Sequence, residues 1–130
     1  LAAGAVASGG GRPLRSSFAG TPRPVPIAIS MMERHPLGAQ AFMPLSDHEW
    51  LVVVAPTNAD DSAPDFDGLR CFRARGDQGI TYAPNVWHHP LLVLQPQDFL
   101  IADRAGPEGE TGNPNLQEHW EDAPVAVVAV

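Results

Sequence analysis

The sequence contains no lysine, so its eight Lys or Arg positions are all arginines. The absence of lysine excludes Schiff-base formation and acid–base catalysis by an amine side chain. An anionic substrate group must therefore be held by Arg, His, backbone N–H groups or a metal ion. The formal net charge of −7 also lacks the positive excess that nucleic acids and anionic membranes attract, so neither is an expected partner.

Cysteine and long apolar runs are also scarce. Cys71 is the single cysteine, so the chain cannot form an internal disulfide bond, and we predict a small buried thiol rather than a nucleophile. No apolar run reaches the roughly 18 to 20 residues that a membrane helix needs. The apolar start, residues 1–8, is too short and lacks a basic leader. A membrane-spanning role is therefore not expected.

Turn-forming residues are abundant, with 14 prolines and 12 glycines along the chain. They disfavour long helices, and short apolar runs between turns are typical of a β-sandwich or β-barrel. An all-β fold is therefore predicted. The expected strands are residues 27–31, 40–43, 50–55, 69–74, 79–83, 87–94 and 99–103.

The chain of 130 residues has the length of one domain. Residues 1–24 contain the glycine run 9–11 and are expected to form a flexible or partial N-terminal segment. Residues 25–130 are expected to form a single barrel domain.

Two segments place ionisable side chains between apolar strands. Residues 32–44 include Glu33, His35 and Gln40, and residues 79–90 include the pair His88 and His89. Adjacent residues of a strand point to opposite faces, so at most one histidine of the pair enters the interior, and the other is expected at an edge or on the surface. A closed barrel would bring these strands around one pocket. Polar side chains that converge on one pocket from distant strands indicate an enzymatic function.

These motifs, in their order and spacing, resemble the ureidoglycolate lyase family. The resemblance rests on residues 33–38 with 40–42, and on residues 86–91 with 98–100 and 103–104. It implies a cupin-type β-barrel (jelly roll), a homodimer, a cytoplasmic location and a role in allantoin breakdown. His35 and Gln40 look like the remains of a first cupin motif, and His88 matches the second if Asn85 occupies its glycine position. Ala105 departs from the family pattern, which has glycine there.

The family resemblance implies cleavage of (S)-ureidoglycolate, a carbinolamine with a carboxylate, into glyoxylate and urea. This reaction needs a base for the hydroxyl proton, an acid for the departing nitrogen and a positive group for the carboxylate. His35 or His88 is the expected base, because imidazole exists in both forms near neutral pH, and Glu33 is the rival. The expected substrate-binding residues are Gln40, Asn85 and one or more of Arg34, Arg73, Arg75 and Arg104.

A divalent metal ion is the one cofactor considered, with His35, Gln40 and His88 as its candidate ligands. Two imidazoles and an amide form a weaker ligand set than two imidazoles and a carboxylate, so a modest affinity for the metal ion is expected. Two alternatives share the same fold, which by itself does not decide function. One is a non-catalytic cupin module that binds a small carboxylate, and the other is a different cupin enzyme, such as an epimerase or a dioxygenase.

Overall fold

A computed structural model describes residues 6–130, which form β-strands and one short 3-10 turn at Phe66–Gly68. The predicted all-β fold class is confirmed. No helix within residues 6–130 has the length and apolar character needed to cross a membrane. The strands are β1 Arg12–Gly20, β2 Ile27–Ile29, β3 Met31–Arg34, β4 Gln40–Pro44, β5 Trp50–Ala55, β6 Arg70–Ala74, β7 Ile80–Tyr82, β8 Trp87–His88, β9 Leu92–Val93, β10 Gln97–Ala105, β11 Gln117–Trp120 and β12 Ala126–Val128.

Antiparallel pairing joins these strands into three sheets. One sheet has the order β1-β10-β4-β7, a second has the order β11-β3-β8-β5-β6 with β9 beside β5, and a third pairs β12 with β2. We call them the four-stranded, six-stranded and two-stranded sheets. Within residues 6–130 the strands form stacked layers rather than one hydrogen-bonded ring, so the expected closed barrel is replaced by a sandwich of the jelly-roll type.

Strand β5 lies at the centre of the layers. Trp50 and Val52 pack in a core shared with the four-stranded sheet, whereas Leu51 and Val53 pack in a second core against the two-stranded sheet. A strand buried on both faces has no polar alternation, which explains its continuous apolar sequence. The first core also contains Phe42, Tyr82, Val93, Phe99 and Ile101, and the second contains Ile27, Ile29, Met32, Trp87 and Leu92.

Two edge strands differ from the sequence-based expectations. Residues 12–20, within the segment expected to be flexible or partial, form β1 and pair with β10 along its whole length. Residues 1–5 of that segment lie outside the described residues. Cys71, predicted to be buried, is exposed on β6 at the edge of the six-stranded sheet. Edge strands have a neighbour on one side only, and most side chains of β1 and β6 remain exposed.

Candidate active site

The two motif segments meet between β3 and β8 of the six-stranded sheet. Glu33 and His88 are direct cross-strand partners, so their side chains share one face. Glu33 Oε1 lies 3.5 Å from His88 Nε2 and 3.8 Å from His35 Nε2. The potential metal-binding atoms of these three residues all lie within 4.8 Å of one another. We call Glu33, His35 and His88 the Glu33 cluster.

Backbone carbonyl groups orient both imidazoles of the cluster. His88 Nδ1 lies 2.9 Å from the Val86 carbonyl oxygen, and His35 Nδ1 lies 2.9 Å from that of Asn115. A carbonyl oxygen only accepts hydrogen bonds, so each Nδ1 donates and each Nε2 is turned towards Glu33. Within the described residues, the buried Nε2 of His88 has no hydrogen-bond partner.

The four-stranded sheet faces the cluster with a row of polar side chains from neighbouring strands. Gln40 is paired with Tyr82 on β7, and its side chain lies close enough to Asp103 on β10 to lower the pKa of that carboxyl group. Gln40 Oε1 also lies 3.1 Å from His35 Nε2. Tyr82 and Asp103 were not predicted as site residues. The sequence carries a signal for Asp103, because it follows the buried positions 99 and 101 of β10 at the two-residue period of a strand.

Neighbouring charges set the ionisation of the site carboxylates. Burial raises the pKa of Glu33, but the contact with His88 and the charges of His35 and His89 outweigh it, so the pKa lies below its usual value. Glu33 is therefore a carboxylate at neutral pH. Burial raises the pKa of Asp103 above its usual value, against the opposing effects of the Gln40 hydrogen bond and the His35 charge. Burial, reinforced by the charge of Glu33, raises the pKa of Tyr82, which stays a neutral phenol.

His88 and His89 point to different surroundings, and both are buried, with 1% and 7% of their surface exposed. The expectation that the second histidine lies at an edge or on the surface was wrong. His89 Nδ1 donates to the Pro90 carbonyl oxygen at 2.8 Å, and its Nε2 lies 3.4 Å from Arg23 Nη1. Burial lowers the pKa of His89 below its usual value. Of the pair, His88 alone belongs to the Glu33 cluster.

Arg34 is buried on the face of β3 away from Glu33, where other side chains already bind its guanidinium group. Its guanidinium donates to Gln117 Oε1 and to Asp61 Oδ1, each at 2.6 Å, and to the Asp61 carbonyl oxygen at 2.9 Å. It also lies 4.5 Å from the centre of the Trp87 ring. Residues 33 and 34 are neighbours on β3, so their side chains leave the strand in opposite directions.

The other predicted arginines also have partners outside the cluster. Arg104 is buried and forms hydrogen bonds with Glu110 at 2.7 and 3.1 Å. Arg73 and Arg75, on β6 and just after it, are exposed and form ion pairs with surface acids. Asn85 is exposed in a turn, where its φ of 67° fits a position that favours glycine. Its N–H donates to the His35 carbonyl oxygen at 3.0 Å, so it contacts the backbone next to the cluster.

Asn115 is a further residue that the sequence did not reveal. Its carbonyl oxygen accepts from His35 Nδ1, and its side-chain oxygen accepts from the Leu37 N–H at 2.7 Å. These two bonds hold the turn that follows β3 and fix the direction of the His35 ring. The cluster thus combines a carboxylate with two oriented imidazoles. Such a group can move protons at neutral pH or bind a divalent cation.

Comparisons with known proteins agree on one family. The family model described as ureidoglycolate lyase matches residues 1–128. A Burkholderia mallei protein named ureidoglycolate lyase is 46% identical over 128 residues, which cover 95% of this chain and 73% of that protein. An Agrobacterium fabrum protein of the same name is 48% identical over 128 residues, which cover 98% of this chain and 72% of that protein. A Burkholderia cepacia protein of the same name is 49% identical over 117 residues, which cover 88% of this chain and 64% of that protein.

Proposed function

Because the chain belongs to the ureidoglycolate lyase family, we propose that it cleaves (S)-ureidoglycolate into glyoxylate and urea. The hydroxyl group loses its proton, its C–O bond becomes the C=O bond of glyoxylate, the C–N bond breaks, and the departing urea nitrogen gains a proton. The observation that carries this proposal is the convergence of Glu33, His35 and His88, since a carbinolamine elimination needs a base and an acid close together.

His88 is the base in this proposal. Its Nδ1 hydrogen is committed to the Val86 carbonyl, so the lone pair of the neutral ring is on Nε2, which is buried beside Glu33. Once Nε2 has taken the hydroxyl proton, the Glu33 carboxylate at 3.5 Å stabilises the resulting imidazolium. The Tyr82 ring, stacked on His88, keeps the imidazole in this orientation.

His35 is the acid. Both of its ring nitrogens face oxygen atoms, of Asn115 at 2.9 Å and of Gln40 at 3.1 Å. In this proposal His35 supplies the proton that the departing nitrogen requires. Gln40, which also contacts Asp103, orients the substrate through its amide group.

The same cluster fits a divalent cation, which we propose as an optional cofactor. Both Nδ1 atoms donate to backbone carbonyls and both Nε2 atoms face Glu33, the arrangement found behind many metal-binding histidines. Glu33 adds a carboxylate ligand to the set of His35, Gln40 and His88 that the sequence suggested. A bound cation would polarise the developing carbonyl group. A nitrogen that binds a cation cannot hold a proton, so metal dependence and proton transfer by the imidazoles are separable by experiment.

We further propose that the sandwich is a cupin fold and that the chain acts as a homodimer. Leu14 and Phe18 of β1 are 40% and 51% exposed although they pair with inward-facing residues of β10. Exposed apolar side chains on an edge strand favour contact with a second copy. Light scattering after size-exclusion chromatography tests the dimer. The proposed cytoplasmic role in allantoin breakdown rests on the family alone.

The decisive experiment is product analysis with metal-stripped protein. We expect equal yields of urea and glyoxylate from ureidoglycolate, and a fall in kcat of about 100-fold or more in His88→Ala. His48→Ala, a histidine without a side-chain contact to the cluster, is the matched control. Adding back divalent ions measures any metal dependence. Ammonia in place of urea would contradict the lyase reaction, and binding of glyoxylate without product release would favour a carboxylate-binding module.

A further inference from the structure

A groove of about 540 Å³ opens beside the Glu33 cluster. Its lining includes Arg23, Glu33, His89, Glu118 and Trp120. Because Glu33 belongs both to this groove and to the cluster, a molecule in the groove reaches the carboxylate that lies beside His35 and His88. The groove therefore has the position of a substrate-binding site.

Arg23 is the arginine that lines this groove. Its Nη1 and Nη2 atoms make two long contacts, at 3.4 Å with His89 Nε2 and at 3.4 Å with the Ala28 carbonyl oxygen. Within residues 6–130 it has no carboxylate partner. A guanidinium has donors on all three nitrogens, so Arg23 retains N–H groups for a ligand. The buried Arg34 and Arg104 differ, because acidic side chains already occupy their guanidinium groups.

His89 positions the Arg23 side chain at the edge of the groove. The His89 ring is buried, and its Nδ1 donates to the Pro90 carbonyl oxygen. The neutral ring therefore presents the Nε2 lone pair to Arg23 Nη1. Among residues 6–130, the histidine outside the cluster thus has a defined contact with the arginine of the groove lining.

The charges of the groove match a ligand with a carboxylate at one end and N–H donors at the other. Arg23 supplies the positive group, and Glu33 and Glu118, which are cross-strand partners of β3 and β11, supply acceptors. Two carboxylates would repel a dicarboxylate, but they accept hydrogen bonds from a ureido group. Ureidoglycolate has this distribution of groups.

We propose that Arg23 binds the substrate carboxylate, with the ureido N–H groups towards Glu33 and Glu118. This inference rests on the proposed lyase function and names an arginine that the sequence did not single out. It concerns ground-state binding, so it predicts a change in substrate affinity more than in the rate of bond cleavage.

Kinetics of Arg23→Gln, Arg23→Lys and the control Arg73→Gln test the proposal. Loss of a charge-assisted hydrogen bond is expected to raise KM for ureidoglycolate by about 10- to 100-fold, with kcat changed by less than about threefold. Arg23→Lys keeps the charge and should restore part of the affinity. Arg73→Gln should leave KM unchanged. The wild-type preference for ureidoglycolate over its uncharged carboxamide analogue should disappear in Arg23→Gln.

Calorimetric titration of glyoxylate into metal-stripped protein supplies a readout that does not depend on turnover. Arg23→Gln should weaken glyoxylate binding by about tenfold or more, and Arg73→Gln should not. Unchanged KM and unchanged glyoxylate affinity in Arg23→Gln, with an active wild type, would overturn the proposal. Absence of wild-type turnover would instead contradict the lyase function, and the titration would still decide whether Arg23 binds a carboxylate.

Discussion

The imidazole of His88 lies flat against the ring of Tyr82, with ring centres 4.0 Å apart and ring planes within 10° of parallel. Tyr82 belongs to the four-stranded sheet and His88 to the six-stranded sheet. The proposed base is therefore held by a contact between the two layers of the sandwich. Its orientation depends on how these layers pack as well as on its own strand.

This contact predicts different effects for two substitutions of Tyr82. Tyr82→Phe keeps the stacked ring and should retain kcat to within about threefold, because a stacked aromatic pair contributes about 0.5–1.5 kcal/mol. Tyr82→Leu removes the ring and should lower kcat by about tenfold through a misplaced imidazole. Steady-state kinetics and the midpoint of chemical unfolding separate loss of orientation from loss of stability. Equal kcat values for the two variants would show that stacking does not position His88.

Glu33→Gln tests the carboxylate at the centre of the cluster. The substitution keeps the shape of the side chain but removes the charge that stabilises an imidazolium, so kcat should fall by about 100-fold. Glu49→Gln, which removes a surface carboxylate paired with Arg73, is the control and should retain activity. A Glu33→Gln variant with wild-type kcat would remove Glu33 from the mechanism.

Asp61 links stability to pH through its contact with Arg34. The hydrogen bonds from Arg34 and Thr57 hold the pKa of Asp61 below its usual value. A carboxyl group whose pKa is lowered by folding stabilises the native state above its unfolded pKa, and this contribution is lost as the pH falls through the folded pKa. Asp61→Asn should therefore reduce the urea midpoint at neutral pH, and the difference from wild type should shrink in acid. A difference that is constant from neutral to acidic pH would contradict this prediction.

Alanine substitutions at Leu51 and Leu45 test whether β5 is buried on the face that packs against the two-stranded sheet. Leu51 is 3% exposed in the core against the two-stranded sheet, whereas Leu45 is 60% exposed. Leu51→Ala should lower the free energy of unfolding by about 2–5 kcal/mol. Leu45→Ala should change it by less than about 0.5 kcal/mol. Urea denaturation followed by tryptophan fluorescence measures both, and similar losses would contradict the assignment of Leu51 to a core.

Local sequence patterns predicted the strands whose apolar character reflects burial. The apolar run of β5 predicted its bounds at residues 50–55, because a strand covered on both faces carries no polar residues. Strand β1 was not predicted, because most of its side chains are exposed and its pairing with β10 spans the whole domain. Pairing over such a distance leaves no signal in a short window of sequence.

By itself, the sequence determined which chemistry is available to this protein. The lack of lysine left arginine to bind anions, and the motifs around Glu33, His35 and His88 placed the proton-moving groups in two segments. Only the tertiary structure decided which of these groups meet. The register of β3 against β8 selected His88 over His89. Long-range contacts pair Arg34 with Asp61 and Arg104 with Glu110, whereas Arg23 lines the groove. The physical reason is that alternation along a strand is a local property, whereas partners across sheets depend on how distant segments pack.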